Sequence, residues 1–300
     1  MNSLTPESKT GFTLINHGGY FYRPPENLAR GLKKLIIFPE NEKRHEIPNG
    51  SVWVYDTKMP FNPGILNADA GCGMCAFLTE RIDFSDRFIK ELARILTEDE
   101  LSIGRGNHFI DFCEGHPNFR GGNLVVLHSN FNKEQNIPKT FYEAAAMIER
   151  AKRARAITLK RLLDRLRVAG EFYQDWPHNT VETKNGSTIY RKGAVDTSKT
   201  QNEGMLALNP YDGFYFYISR CHEFCHSMQH GAGKKTGGNS GLEACIAAKE
   251  KKVRIYSFLD GKRPPALYDE FNDGLAFYKK YGDEHFYKGI STAKVVARTD

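Results

Sequence analysis

The chain has 300 residues, of which 40% are hydrophobic and 26% charged, a balance typical of a soluble globular protein. No apolar run is long enough for a membrane span, and the start, MNSLTPESKTGF, lacks the layout of a secretory signal, so we expect a cytoplasmic protein. Six irregularly spaced cysteines do not resemble a disulfide framework, and a net charge of +6 favours a polyanionic partner only weakly.

The sequence predicts strands and helices in a mixed order along the chain. Runs rich in β-branched and aromatic residues predict strands at Ser51–Tyr55, Cys75–Thr79, Asn123–His128 and Phe214–Ser219. Ser85 as a capping residue and apolar residues at helical spacing predict a helix at Asp86–Thr97. Further helices are predicted at Thr140–Val168, after Ser240, and at Glu270–Tyr281. Without βαβ alternation, linker or repeat, this order predicts an α+β fold: one domain over residues 1–300 with a central β core flanked by helices.

The long predicted helix carries a basic run, KRARAITLKRLLDRLR. Its seven cations are Lys152, Arg153, Arg155, Lys160, Arg161, Arg165 and Arg167. Such a run is more often a solvated face than a nucleic-acid site, and periodicity does not distinguish the two.

The stretch NADAGCGMC places Asp69 three residues before Cys72, which is flanked by Gly71 and Gly73. One interpretation is a turn with a buried cysteine, because free cysteine is among the most buried residue types. The other is a metal site, in which the glycines let the backbone approach an ion closely.

Three histidines occur in contexts that favour the metal interpretation. His108 follows a glycine-flanked turn in GRGNHF, His128 ends an apolar strand, and His178 follows the long helix in PHNTVE. Each alone is usually a core or turn residue. Together with Asp69 and Cys72 they supply O, S and N ligands suited to Mn²⁺ or Zn²⁺, and a thiolate can bridge two ions.

A fourth histidine, His230, begins the glycine-rich stretch HGAGKK. Backbone N–H groups of such a loop can receive phosphates. An imidazole beside a phosphate-binding loop and a metal is well placed to attack a nucleoside triphosphate.

The order of these motifs resembles the RtcB family of GTP-dependent RNA ligases. The matching stretches are DAGCGMCA, GRGNHFIDF, VLHS, HNTVE, YRKGA, HGAG and AKVVAR, in the family's order from Asp69 to Arg298. The resemblance implies two Mn²⁺ ions, one held by Asp69, Cys72 and His108 and the other by Cys72, His128 and His178. It also implies that His230 is guanylylated, and we expect the GTP contacts to come from Asn107, Asp111, Gly231, Gly233 and Lys234.

The implied reaction joins RNA ends bearing a 2′,3′-cyclic phosphate or 3′-phosphate to a 5′-hydroxyl, in RNA repair or tRNA splicing. GMP passes from GTP to His230 and then to the RNA 3′-phosphate, and it leaves when the 5′-hydroxyl attacks. The expected partners are therefore GTP and RNA, with tRNA as one candidate substrate.

The chain departs from the family pattern mainly around the nucleotide. Lys234 stands where the family has arginine, Asp111 where it has glutamate, and NPYDGF where it has a Gly-Ser-Met-Gly phosphate loop. Lysine does not offer the bidentate phosphate contact of arginine. A metal-binding ligase homologue that has lost ligation is therefore an alternative.

A different class is suggested by HEFCH, His222 to His226, which matches the H-E-x-x-H signature of zinc metallopeptidases. On a helix, the two histidines would share a face and bind zinc, with Glu223 as general base. This alternative leaves Asp69, Cys72, His108, His128 and His178 without a role.

Overall fold

The fold is mixed α+β, as the sequence predicts. The computed structural model describes residues 11–18, 21–39, 46–97, 101, 108–116, 119–131, 136–198, 204–207, 214–217, 222–231, 254–257 and 292–299. In chain order its elements are β1 (Thr13–Asn16), α1 (Glu26–Ala29), β2 (Leu32–Ile37), β3 (Ser51–Asp56), α2 (Pro63–Leu66), β4 (Gly73–Thr79), α3 (Asp86–Thr97), β5 (His108–His116), β6 (Phe119–Ser129), α4 (Phe141–Arg165), β7 (Gly170–Pro177), β8 (Asn179–Lys184), β9 (Ser187–Lys192), β10 (Ala194–Asp196), β11 (Gly204–Ala207), β12 (Phe214–Tyr217), β13 (Ser227–Gln229), β14 (Arg254–Ser257) and β15 (Thr292–Thr299).

Two larger sheets carry most of the strands. One has the order β14-β15-β5-β6-β4-β7 and the other the order β1-β2-β3-β9-β8, while β10-β13 and β11-β12 form two-stranded ribbons. Both faces of the six-stranded sheet are covered at β4, β5 and β6, so β6 reads as a nearly continuous apolar run. Val125 and Leu127 pack on the side of α3 and α4, whereas Leu124 and Val126 pack towards β11 and β12.

Helix α4 begins within one residue of the predicted start, Thr140, which caps it, and ends three residues before the predicted end at Val168. The Thr140 hydroxyl accepts a hydrogen bond from the Glu143 N–H at 3.2 Å. One stripe of the helix is buried: Ala144, Ile148, Ala151, Arg155, Leu159, Leu162 and Leu163. The helix ends at Arg165, and Arg167 adopts a positive φ of 58°. The predicted helix Asp86–Thr97 and the predicted strands at residues 51–55, 75–79 and 123–128 are confirmed.

The remaining predictions about elements fall partly on other stretches. Phe214–Tyr217 forms β12, but residues 218 and 219 and the two helices predicted after Ser240 and at 270–281 lie outside the described residues. The assignment of residues 1–300 to one domain stays a prediction. No helix in the described ranges is long and apolar enough to cross a membrane.

Candidate metal centre

Three of the predicted metal ligands meet at one end of the six-stranded sheet. Cys72 comes directly before β4, His128 is the penultimate residue of β6, and His178 comes directly after β7. Because β4 is antiparallel to both β6 and β7, its start lies beside their ends, with Gly73 opposite Ser129 and Pro177. The His178 N–H also donates to the Cys72 carbonyl at 2.9 Å.

The side chains of these three residues form a buried cluster, here named the Cys-His-His group. Cys72 Sγ lies 3.4 Å from His128 Nε2, which lies 3.3 Å from His178 Nε2. The three ligand atoms lie within 4.8 Å of one another, and the residues are 6%, 4% and 2% exposed, respectively. This group could bind a metal ion.

Two of the separations within the group match those expected around a tetrahedral ion. Metal–sulfur and metal–nitrogen bonds of about 2.3 and 2.05 Å at tetrahedral angles require S···N and N···N separations of about 3.5 and 3.3 Å. The observed separations are 3.4 and 3.3 Å. Thiolate and imidazole are ligands that suit zinc, whereas manganese prefers oxygen ligands.

The other two predicted ligands, His108 and Asp69, lie outside the Cys-His-His group. The buried His108 ring packs against His128 with centroids 5.7 Å apart. The Asp69 side chain is 54% exposed, and its Oδ2 accepts a hydrogen bond from Lys192 Nζ at 2.6 Å. The structure thus brings three of the five predicted ligands into one group, places His108 beside it, and pairs Asp69 with a lysine.

His230 lies against the group. Its ring stacks on the His178 ring with centroids 3.8 Å apart and planes at 29°. His230 directly follows β13, which pairs with β10. The His230 N–H donates a hydrogen bond to the Gly193 carbonyl at 3.2 Å. His230 Nδ1 lies 2.8 Å from the same carbonyl, which only accepts hydrogen bonds, so Nδ1 carries the hydrogen and Nε2 the lone pair.

The predicted nucleotide contacts are described only in part. Asp111 is buried on β5, opposite Val126 of β6. Gly231 follows His230 and forms a parallel bridge with Ala207. Asn107, Gly233 and Lys234 lie outside the described residues.

Helix packing gives a reason for both glycines around Cys72. Gly71 has a φ of +82°, and a Cβ there would lie 2.9 Å from Ile148 Cα and 2.9 Å from Ala151 Cβ, both on α4. A Cβ on Gly73 would lie 2.7 Å from Arg155 Nη2 and 2.8 Å from Pro177 Cα. The glycines therefore let the Cys72 turn press against α4.

Arg155 is a residue whose environment the sequence prediction got wrong. As a member of the basic run it was expected on a solvated face, yet its side chain is 0% exposed. Its guanidinium bonds Asp175 and two backbone carbonyls near the group. Its position was a usable signal, because Arg155 stands four residues from both Ala151 and Leu159 and so falls on the apolar stripe of α4.

Burial keeps Cys72 and His178 uncharged in the absence of an ion. It raises the pKa of the Cys72 thiol to about 12, with a further contribution from the Asp69 carboxylate. Burial also holds the pKa of His178 well below its ordinary value, as do the neighbouring His230 and His128. Both side chains are therefore uncharged near neutral pH, and an ion must displace the thiol proton to bind.

The H-E-x-x-H stretch does not form the α-helix that the metallopeptidase interpretation requires. His222–Phe224 is a single 3₁₀ turn, and Cys225 and His226 follow with positive φ values of 53° and 52°. The rings of His222 and His226 still touch, with centroids 4.2 Å apart.

Comparison of the chain with the profiles of known protein families gives no match, and neither does comparison with curated proteins.

Proposed function

We propose that this protein is a metal-dependent RNA ligase of the RtcB type, joining 3′-phosphate or 2′,3′-cyclic phosphate ends to 5′-hydroxyl ends through a guanylylated His230. The observation that carries the proposal is the 3.8 Å stacking of His230 on His178, a member of the Cys-His-His group. The candidate nucleophile, His230, is thus in contact with a candidate metal ligand, His178.

The hydrogen bond of His230 prepares it for attack on phosphorus. Because Nδ1 donates to the Gly193 carbonyl at 2.8 Å, the neutral ring carries its lone pair on Nε2, the nitrogen that would attack the α-phosphorus of GTP. As the N–P bond forms and pyrophosphate leaves, positive charge develops on the ring, and the Gly193 carbonyl oxygen stabilises the Nδ1–H that carries it. A bound ion supplies Lewis acidity towards phosphate oxygens.

The later steps need only the two RNA ends and, for a cyclic phosphate end, one water molecule. The RNA 3′-phosphate attacks the phosphorus on His230, which restores the neutral imidazole and leaves a 3′-phosphate–GMP anhydride. The 5′-hydroxyl then attacks the RNA phosphorus, loses its proton and expels GMP. A cyclic phosphate end must first be opened by water to the 3′-phosphate.

A second candidate, a metal-binding homologue without ligase activity, is favoured by the Asp69–Lys192 ion pair of 2.6 Å. A lysine already balances this carboxylate, so a single ion in the Cys-His-His group is the arrangement closest to the described geometry. Such a protein would bind one ion and form no adduct with GTP.

The test is incubation of the purified protein with α-labelled GTP and Mn²⁺. We expect an acid-labile, alkali-stable GMP adduct that disappears in His230→Ala and weakens without metal. His222→Ala is the matched control, because His222 is exposed and outside the Cys-His-His group. A second assay offers the protein an RNA whose 3′-phosphate already carries GMP, together with a 5′-hydroxyl RNA. If the protein seals this RNA but is not labelled by GTP, it has lost the use of GTP. If it does neither, ligation is absent.

A further inference from the structure

We propose that Arg155 is the positioning residue of the Cys-His-His group, holding Cys72 and His128 at metal-binding distance through the backbone beside them. This inference rests on the metal-binding part of the proposed function and is independent of RNA ligation. It concerns a side chain that binds no ion itself.

One arm of the guanidinium holds the backbone next to two ligands. Arg155 Nη1 donates to the Gly71 carbonyl at 2.6 Å and to the Ser129 carbonyl at 2.7 Å. Gly71 directly precedes Cys72, and Ser129 directly follows His128. The same nitrogen therefore ties the turn before β4 to the end of β6.

The other arm anchors the guanidinium itself. Nε and Nη2 donate to the two carboxylate oxygens of Asp175, each at 2.7 Å. Asp175 is the third residue before His178 and lies on β7. One planar group thus bonds to all three segments that carry the ligands, and its fork geometry fixes their relative positions.

The packing around Gly73 independently shows that the Arg155 guanidinium holds the backbone beside Cys72. A Cβ at this position would lie 2.7 Å from Arg155 Nη2, so the guanidinium packs against the residue after Cys72 as well as bonding the residue before it. Ion pairs buried this deeply usually add little stability compared with apolar residues of similar volume. What Arg155 supplies is orientation, the role that outer-shell partners have for metal ligands.

The first test measures cobalt binding, because thiolate-to-cobalt absorption reports a cysteine ligand directly. Arg155→Lys keeps the charge opposite Asp175 but lacks the fork, and we expect it to bind Co²⁺ about 10–100-fold more weakly than wild type. Arg191→Lys is the matched control. Arg191 is buried to 1% exposure and bonds Glu182 and Ser227, and none of its described bonds involves the Cys-His-His group. We expect its cobalt affinity to stay at the wild-type value.

A second readout needs no metal. In metal-free protein, we expect iodoacetamide to alkylate Cys72 faster in Arg155→Lys than in wild type, with the buried Cys113 unchanged as internal standard. If wild type binds no cobalt, the proposed metal function fails, while this readout still tests the positioning.

Each outcome decides the inference. Unchanged cobalt affinity together with unchanged Cys72 alkylation overturns it, and so does an equal loss of affinity in Arg191→Lys, which would show general destabilisation. If Arg155→Lys does not fold, Asp175→Asn takes its place: it leaves the arginine without its charged anchor, and here too weaker cobalt binding supports the inference and unchanged binding overturns it.

Discussion

The tight contact between Gly71 and helix α4 predicts an unusually large effect of one added methyl group. In Gly71→Ala, the new Cβ would stand 2.9 Å from Ile148 Cα and from Ala151 Cβ, and the residue would keep a φ of +82°. The left-handed conformation costs about 1–2 kcal/mol for a residue with a Cβ. Overpacking against α4 adds about 1–3 kcal/mol, so we expect the free energy of unfolding to fall by about 2–5 kcal/mol.

Gly186→Ala separates the two contributions. Gly186 has a φ of +70° in the β8–β9 turn, and a Cβ there would meet nothing within 4 Å. This variant should therefore lose only the conformational part, about 1–2 kcal/mol. The difference between the two variants, measured by urea denaturation of metal-free protein, isolates the packing against α4.

A double variant tests the named contact. Ala151→Gly removes the Cβ atom that would lie 2.9 Å from the added methyl group, so Gly71→Ala should cost less in that background by at least about 0.5 kcal/mol. If Gly71→Ala is no more destabilising than Gly186→Ala, the close approach of the Cys72 turn to α4 is wrong, and if Ala151→Gly does not relieve it, the cost comes from the backbone contact with Ile148 and not from Ala151.

Three further predictions concern the ion, the rival motif and the basic helix. Cys72→Ala should abolish metal binding measured by equilibrium dialysis. In wild type, ion uptake should release about one proton, and affinity should rise about tenfold per unit of pH, because the Cys72 thiol with its raised pKa must ionise. Glu223→Ala should leave GMP labelling unchanged, whereas zinc-dependent casein cleavage lost in this variant would favour the peptidase. Replacing the exposed Arg153, Lys160 and Arg167 by alanine should flatten the salt dependence of RNA binding by about one unit of slope per lost phosphate contact; an unchanged slope would leave these side chains as solvated surface.

Local patterns in the sequence were sufficient for α3 and α4. The Thr140 cap sets the start of α4, and the buried stripes of both helices follow the 3.6-residue period; both effects act within a few residues. The H-E-x-x-H stretch shows the limit of such patterns: the spacing predicts a helix, but His226 has a φ of 52°.

The site was predictable in its residue types and less so in its geometry. Cys72, His128 and His178 stand out by type and context, but their meeting depends on β4 pairing with both β6 and β7, which no short stretch encodes. The pairing of Asp69 with Lys192 and of Arg155 with Asp175 joins residues 123 and 20 positions apart, and the sequence alone offers no spacing rule for either.

The long separations between the ligands would also couple folding to metal availability once the Cys-His-His group binds an ion. Cys72, His128 and His178 are separated by 56 and 50 residues, so an unfolded chain presents no assembled site and an ion binds the native state alone. By mass action, free metal at 100 times its dissociation constant would raise the apparent stability by about 2.7 kcal/mol. A chelator would withdraw the same amount, so the fraction of folded chains would follow the free-metal concentration of the surrounding solution.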